Sequence, residues 1–190
     1  MRFSTLFFAV TVTAFCFAGT KSEVLSNAYG YETINGIKQD IETETGSVYG
    51  LNLGSSEEEM RAFFGDPIGI IYISEDEKVF VYGSKFATTI KHGLFTKATI
   101  GSNVFDYSTG IEPETNAIFD TPQWEINQEI RSSDSYESVV KKLGLRDQSP
   151  EYSLVTVSGR SLLRLQFTKR TSPYGSEDYQ LRSFTIERTR

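Results

Sequence analysis

The sequence predicts an α+β protein made of two helix-plus-antiparallel-meander repeats, with the helices packed on one face of a largely antiparallel sheet. Three observations predict it. A capped helical segment occurs twice at a constant offset of 79 residues, from Ser55 to Asp134. Each copy is followed by apolar or alternating runs broken by short polar turns, as antiparallel strands require. Between the copies lies a stretch with Gly110, Pro113 and Pro122, which reads as a connector.

The repeat is clearest when residues 54–65 are laid over residues 133–144. Ser55 then matches Asp134, Glu58 matches Glu137, Met60 matches Val139, Phe64 matches Leu143 and Gly65 matches Gly144. Ser55 and Asp134 are the expected N-caps, with Glu58 and Glu137 at the N3 position of a capping box. Met60 with Phe64, and Val139 with Leu143, are i,i+4 pairs on one helical face, and each glycine can supply the left-handed residue that ends a helix. The acidic trio Glu57, Glu58 and Glu59 is read as a first-turn cluster favoured by the helix dipole.

After the first helix, Asp66-Pro67 breaks the pattern and three strands are expected, at residues 68–73, at 79–82 resuming around 86–90, and at 94–100, with turns at 74–78 and at Lys91-His92-Gly93. After the second, strands are expected at 152–157, 161–168 and 179–187. In the middle one, Leu163, Leu165 and Phe167 alternate with Arg164, Gln166 and Thr168 to present one buried face. The expected divisions are a signal peptide at 1–18, an N-terminal arm at 19–46, a first repeat at 47–102, a connector at 103–123 and a second repeat at 124–190.

The first residues place Arg2 before a run dominated by Phe, Leu, Val and Ala, the pattern of an export signal cleaved near Ala18. The expected location is therefore extracytoplasmic, either periplasmic or secreted, with no membrane span in the mature chain. Cys16, the single cysteine, lies inside the segment expected to be removed, so neither disulfides nor thiol chemistry remain. The formal charge of −6 becomes −7 when Arg2 is lost. A net acidic chain without a Lys/Arg cluster argues against a nucleic-acid partner and an anionic membrane surface.

Leu53, the helical segment that follows it and Asp66-Pro67, with Tyr82-Gly83 some way downstream, resemble the helix-then-strands unit of the SmpA/OmlA (BamE) outer-membrane assembly lipoproteins. Two such units in one exported chain are also similar in arrangement to the β-lactamase inhibitory protein fold. The resemblance implies an α+β fold and a habit of binding other proteins. SmpA-type proteins are lipid-anchored through a cysteine preceded by small residues, whereas Phe15 precedes Cys16 here.

No catalytic or metal-binding set stands out, and no cofactor is expected. His92 is the single histidine, and its setting reads as an exposed turn, so a triad or a His-containing metal cluster would depend on it alone. No Gly-rich phosphate loop, nucleophile elbow or metal-spaced acidic loop occurs. The expected function is a non-enzymatic protein-binding module, such as an inhibitor, accessory or envelope-assembly factor. The alternatives are a carrier of a small apolar or lipid-like ligand and, less favoured, a carboxylate-dependent hydrolase. If Ile71, Ile73, Val79 and Val81 face the helix, strand parity puts Tyr72, Phe80 and Tyr82 on the opposite face, which is the expected partner-binding surface. Trp124 is expected either in the connector or as a plug between the repeats.

Overall fold

The computed structural model describes residues 24–26, 32–34, 37–38, 40–101, 116, 118–120, 124–146, 150–171 and 177–189. The expected signal peptide at 1–18, and much of the expected arm and connector, lie outside the described residues. Within them the chain forms two short helices and three sheets.

Both helices begin one residue later than their sequence signals suggest. Helix α1 spans Glu57–Phe64 and α2 spans Tyr136–Lys142, capped by Ser56 and Ser135 rather than by Ser55 and Asp134. The reason is the same in each. Gly54 N donates to Phe95 O and Phe95 N donates to Ser55 O, so the chain is still paired to a strand at Ser55; Ser133 N to Leu181 O and Leu181 N to Asp134 O repeat this before α2. The first cap is a full capping box: Ser56 Oγ accepts from Glu59 N at 3.2 Å, and Glu59 Oε2 accepts from Ser56 N at 2.7 Å. In the second, Ser135 Oγ accepts from Ser138 N, and the Asp134 carboxylate instead accepts from Arg131 N and Lys142 Nζ. Gly65 and Gly144, which follow the helices, have φ of 83° and 64°, as the sequence suggests.

The largest sheet has seven strands. They are β7 (Gly69–Tyr72), β8 (Glu77–Val81), β9 (Phe86–Lys91), β10 (Leu94–Gly101), β13 (Ser153–Ser158), β14 (Ser161–Thr171) and β15 (Glu177–Arg188), in spatial order β13-β14-β15-β10-β9-β8-β7. The last strands of the two halves, β10 and β15, pair antiparallel at the centre, Lys97 opposite Glu187 and Ile100 opposite Phe184. The strand on the outer side of each is its own hairpin partner, which gives the sheet an approximate twofold arrangement. A second sheet of five short strands, β4 (Asp40–Glu42), β5 (Ser47–Val48), β6 (Leu51–Asn52), β11 (Glu125–Ile126) and β12 (Ile130–Arg131), has the order β12-β11-β4-β5-β6. The third is a small meander of β1 (Val24–Ser26), β2 (Glu32–Ile34) and β3 (Ile37–Lys38).

The α+β expectation is therefore corrected: the protein is mostly β. Its units are not helix-plus-meander repeats, because each helix is a link of two turns between strands of two different sheets. The physical reason is coverage. Seven strands at about 4.8 Å spacing span about 29 Å. An eight-residue helix is about 12 Å long and cannot cover that apolar face. The five-stranded sheet supplies the remaining cover, with Ile41, Val48, Tyr49, Leu53, Ile126 and Ile130 all buried in one core with residues of the large sheet. It joins the two halves through a parallel pair, β4 to β11, with Asp40 opposite Glu125. Trp124 enters that core and its ring lies 4.7 Å from that of Phe184. Residues 40–46, expected in the arm, thus belong to the folded body.

Candidate functional site

The three residues expected to form one surface are divided by the structure. Tyr72 is 74% exposed, while Phe80 and Tyr82 are buried at 0% and 1%. The parity assignment is corrected: Phe80 and Tyr82 face α1, and Ile73, expected inside, is 60% exposed. Aromatic side chains fill the space between layers better than β-branched ones do. Phe64 of α1 packs its ring 5.6 Å from Tyr82 and 5.2 Å from Phe86, and Phe86 stacks on Phe119 at 4.8 Å. Parity was ambiguous in the sequence because both faces of β8 are apolar, and Val81 is itself only 5% exposed.

The Tyr82 hydroxyl finds no hydrogen-bond partner among the described residues. Burial drives its ionisation upward, with a smaller opposing influence from Arg61. Tyr82→Phe removes a buried oxygen that satisfies nothing, and an unpaired buried polar group costs about 1–3 kcal/mol. The expected result is unfolding at equal or higher denaturant concentration; a loss above about 1 kcal/mol would reveal a partner for the hydroxyl.

Above Phe80 sits a cluster of charges. Arg61 lies over the ring at 4.5 Å and Lys78 at 5.4 Å. Lys78 Nζ pairs with Glu57 Oε2 at 2.6 Å, and Arg61 reaches both Glu57 at 3.2 Å and Asp66 at 3.0 Å. Partial burial opposes ionisation of Glu57, but Lys78 and then Arg61 outweigh it and hold its carboxyl below the ordinary range. Of the acidic trio, Glu59 thus acts in the cap and Glu57 in ion pairing.

Lys78 stands opposite Tyr72 in the β7–β8 pair. Beyond it the chain turns through residues 73–76, where Ile73, Glu75 and Asp76 are exposed. Strand β7 is an outer strand of the seven-stranded sheet, and Ile68 just before it is 46% exposed. Among the described residues no further strand pairs with this edge, which gathers apolar side chains, backbone groups and carboxylates in one place. His92 lies nearby as an exposed turn residue, with φ of 51° and its Nδ1 3.6 Å from Asp76 Oδ2.

A second feature is a groove lined by Thr45, Gly46, Asn52, Leu53, Arg160 and Arg188, with a volume of about 190 Å³. None of these lining residues is a carboxylate. Among the described residues no group of three or more His, Cys, Asp or Glu is placed to hold a metal ion. No described helix is long and apolar enough to cross a membrane.

No family model matches the chain, and no curated protein is similar to it. Among solved structures it is similar to a cysteine-rich secretory protein from Staphylococcus aureus subsp. aureus Mu50, at 11% sequence identity and a TM-score of 0.39. That likeness covers 78% of this chain and 50% of the other, so the chain spans half the length of the structure it matches.

Proposed function

We propose that the protein works outside the cytoplasm as a non-catalytic module that binds another protein through the β7 edge of its large sheet. The observation that carries this reading is the exposure of Tyr72 and Ile73, at 74% and 60%, on an outer strand beside Glu75 and Asp76. An outer strand offers a row of backbone donors and acceptors that a partner's extended segment can pair with, and the apolar side chains gain by being covered. The neighbouring carboxylates, in a chain of net charge −6, select a partner whose pairing segment is apolar and flanked by Lys or Arg. Export rests on the apolar run near the start of the sequence.

The test is affinity capture from the extracytoplasmic fraction with the wild-type chain and with Tyr72→Ala, using Tyr152→Ala as the control. Tyr152 is also exposed, at 61%, but adjoins the opposite outer strand. A tyrosine anchor at an interface centre is worth about 2 kcal/mol, so Tyr72→Ala should weaken the captured complex by roughly 30-fold while Tyr152→Ala leaves it unchanged. Equal capture by both variants, or no protein whose retention depends on Tyr72, would overturn the reading.

A further inference from the structure

The turn at residues 43–46 docks on the hairpin turn that joins β13 to β14, and this contact holds the backbone of Arg160 beside the end of β15. Arg160 N donates to Thr43 O at 3.0 Å, and Arg160 O accepts from both Thr189 N at 2.9 Å and Thr189 Oγ1 at 2.7 Å. Ser161 Oγ donates to the same Thr43 carbonyl at 3.1 Å, while Thr43 Oγ1 meets Ser158 Oγ at 2.8 Å. Asn127, from the β11–β12 turn, holds the other side of Thr43 by accepting from its backbone N–H at 2.9 Å. Arg188 stands directly across the β14–β15 ladder from Ser161, one residue from Arg160. Its guanidinium lies against Gly54, where an added Cβ would collide with Nη1.

Both arginines line the groove of about 190 Å³ with Thr45, Gly46, Asn52 and Leu53. Among the described residues neither guanidinium takes part in a hydrogen bond or ion pair. Neither Glu187, beside Arg188 in the sequence, nor Glu42 and Glu44, beside the docked turn, pairs with them; Glu42 instead accepts from Thr45 Oγ1 at 3.3 Å. Two cations that pair with no carboxylate among the described residues, in an otherwise acidic chain, form a positive spot. The groove holds several times the ~30 Å³ share of one liquid water, enough for a small anion.

We propose that this groove binds a tetrahedral oxyanion, a phosphate or sulfate group, between the guanidiniums of Arg160 and Arg188. A planar carboxylate is satisfied by one bidentate arginine. Two forks, one from the β13–β14 turn and one from β15, with the Asn52 amide in the same lining, suit an anion that accepts from several directions. The site is at the far side of the sheet from β7, next to the β13 outer strand, and does not depend on the partner-binding reading.

The test is titration of the wild-type chain with inorganic phosphate, glycerol phosphate, acetate and chloride, followed by amide chemical shifts and calorimetry. Saturable phosphate binding in the millimolar range or tighter is expected, with shifts confined to residues 45–46, 52–54, 160 and 188. Arg160→Gln and Arg188→Gln should each weaken it by about tenfold, the value of one charge-assisted hydrogen bond, and together abolish it. Tighter binding of glycerol phosphate would support an anion carried on a larger molecule, and tighter binding of inorganic phosphate would support the free ion. If Arg188→Gln does not fold, Arg160→Gln alone decides the matter. Unchanged phosphate affinity in that variant, acetate binding as tightly as phosphate, or no saturable phosphate binding would each overturn the proposal.

Discussion

Phe86→Ala is expected to destabilise the protein by about 3–5 kcal/mol, enough to unfold a large share of molecules of a marginally stable domain. Phe86 is 0% exposed and its ring sits within 4.8 to 5.6 Å of the rings of Phe119, Tyr49, Phe64 and Tyr82. Those neighbours come from a loop, the β5–β6 turn, α1 and the residue after β8, so the cavity opens where several elements meet and no single one can collapse to fill it. Denaturant unfolding checks this, with Phe63→Ala as the comparison. Phe63 is in the same helix as Phe64 but 41% exposed, and should cost under about 1.5 kcal/mol. Equal costs at the two positions would mean that the aromatic cluster is not the centre of the core.

Gly101→Ala should be nearly as damaging. Gly101 has φ of 118°, and a Cβ there would collide with the backbone of Arg182 and Ser183 on β15. The conformational strain alone is worth roughly 1–3 kcal/mol, and moving backbone at the junction of the two halves adds to it. Gly93→Ala separates the two contributions. Gly93 also has a positive φ, of 76°, but a Cβ there meets nothing within 4 Å. Gly101→Ala should therefore lower the midpoint of thermal unfolding by several degrees more than Gly93→Ala does. Equal shifts would show that β15 yields to the added methyl group without cost.

These two sites differ in how far the sequence foretold them. Gly101 reads as a residue at the end of the first repeat, just before the connector, and nothing local shows that a neighbouring strand will lie against it. Phe86 reads as a strand residue, with no sign that four other rings converge on it. Both helices, by contrast, were displaced by only one residue, because strand pairing at Ser55 and Asp134 extends one residue beyond what the cap signature shows. The strands from residue 68 to 100 and from 152 to 187 are close to their expected limits.

Of the expected binding residues, Tyr72 alone is at the surface, and the arginine groove escaped the sequence reading altogether. Arg160 and Arg188 lie 28 positions apart, and their partners in the lining come from residues 45–53. The only available signal was Ser158-Gly159-Arg160 as a hairpin turn, which places one arginine and says nothing of the other.

The sequence by itself determined the local pieces of the large sheet and its neighbours: the strands and turns within residues 68–100 and 152–187, the His92-Gly93 hairpin turn, the two helical segments and the glycines that follow them. Each of these follows from interactions within about five residues, such as a side chain capping an amide, a glycine taking positive φ, or apolar residues alternating along a strand. The tertiary structure decided which face of β8 turns inward, that β10 and β15 join the halves, and that β4 and β11 build a second sheet across more than 80 residues of chain. It also decided which strand was left outermost. Such choices depend on which apolar surface remains uncovered once every element is placed, and two helices of two turns left most of the large sheet for other strands to cover.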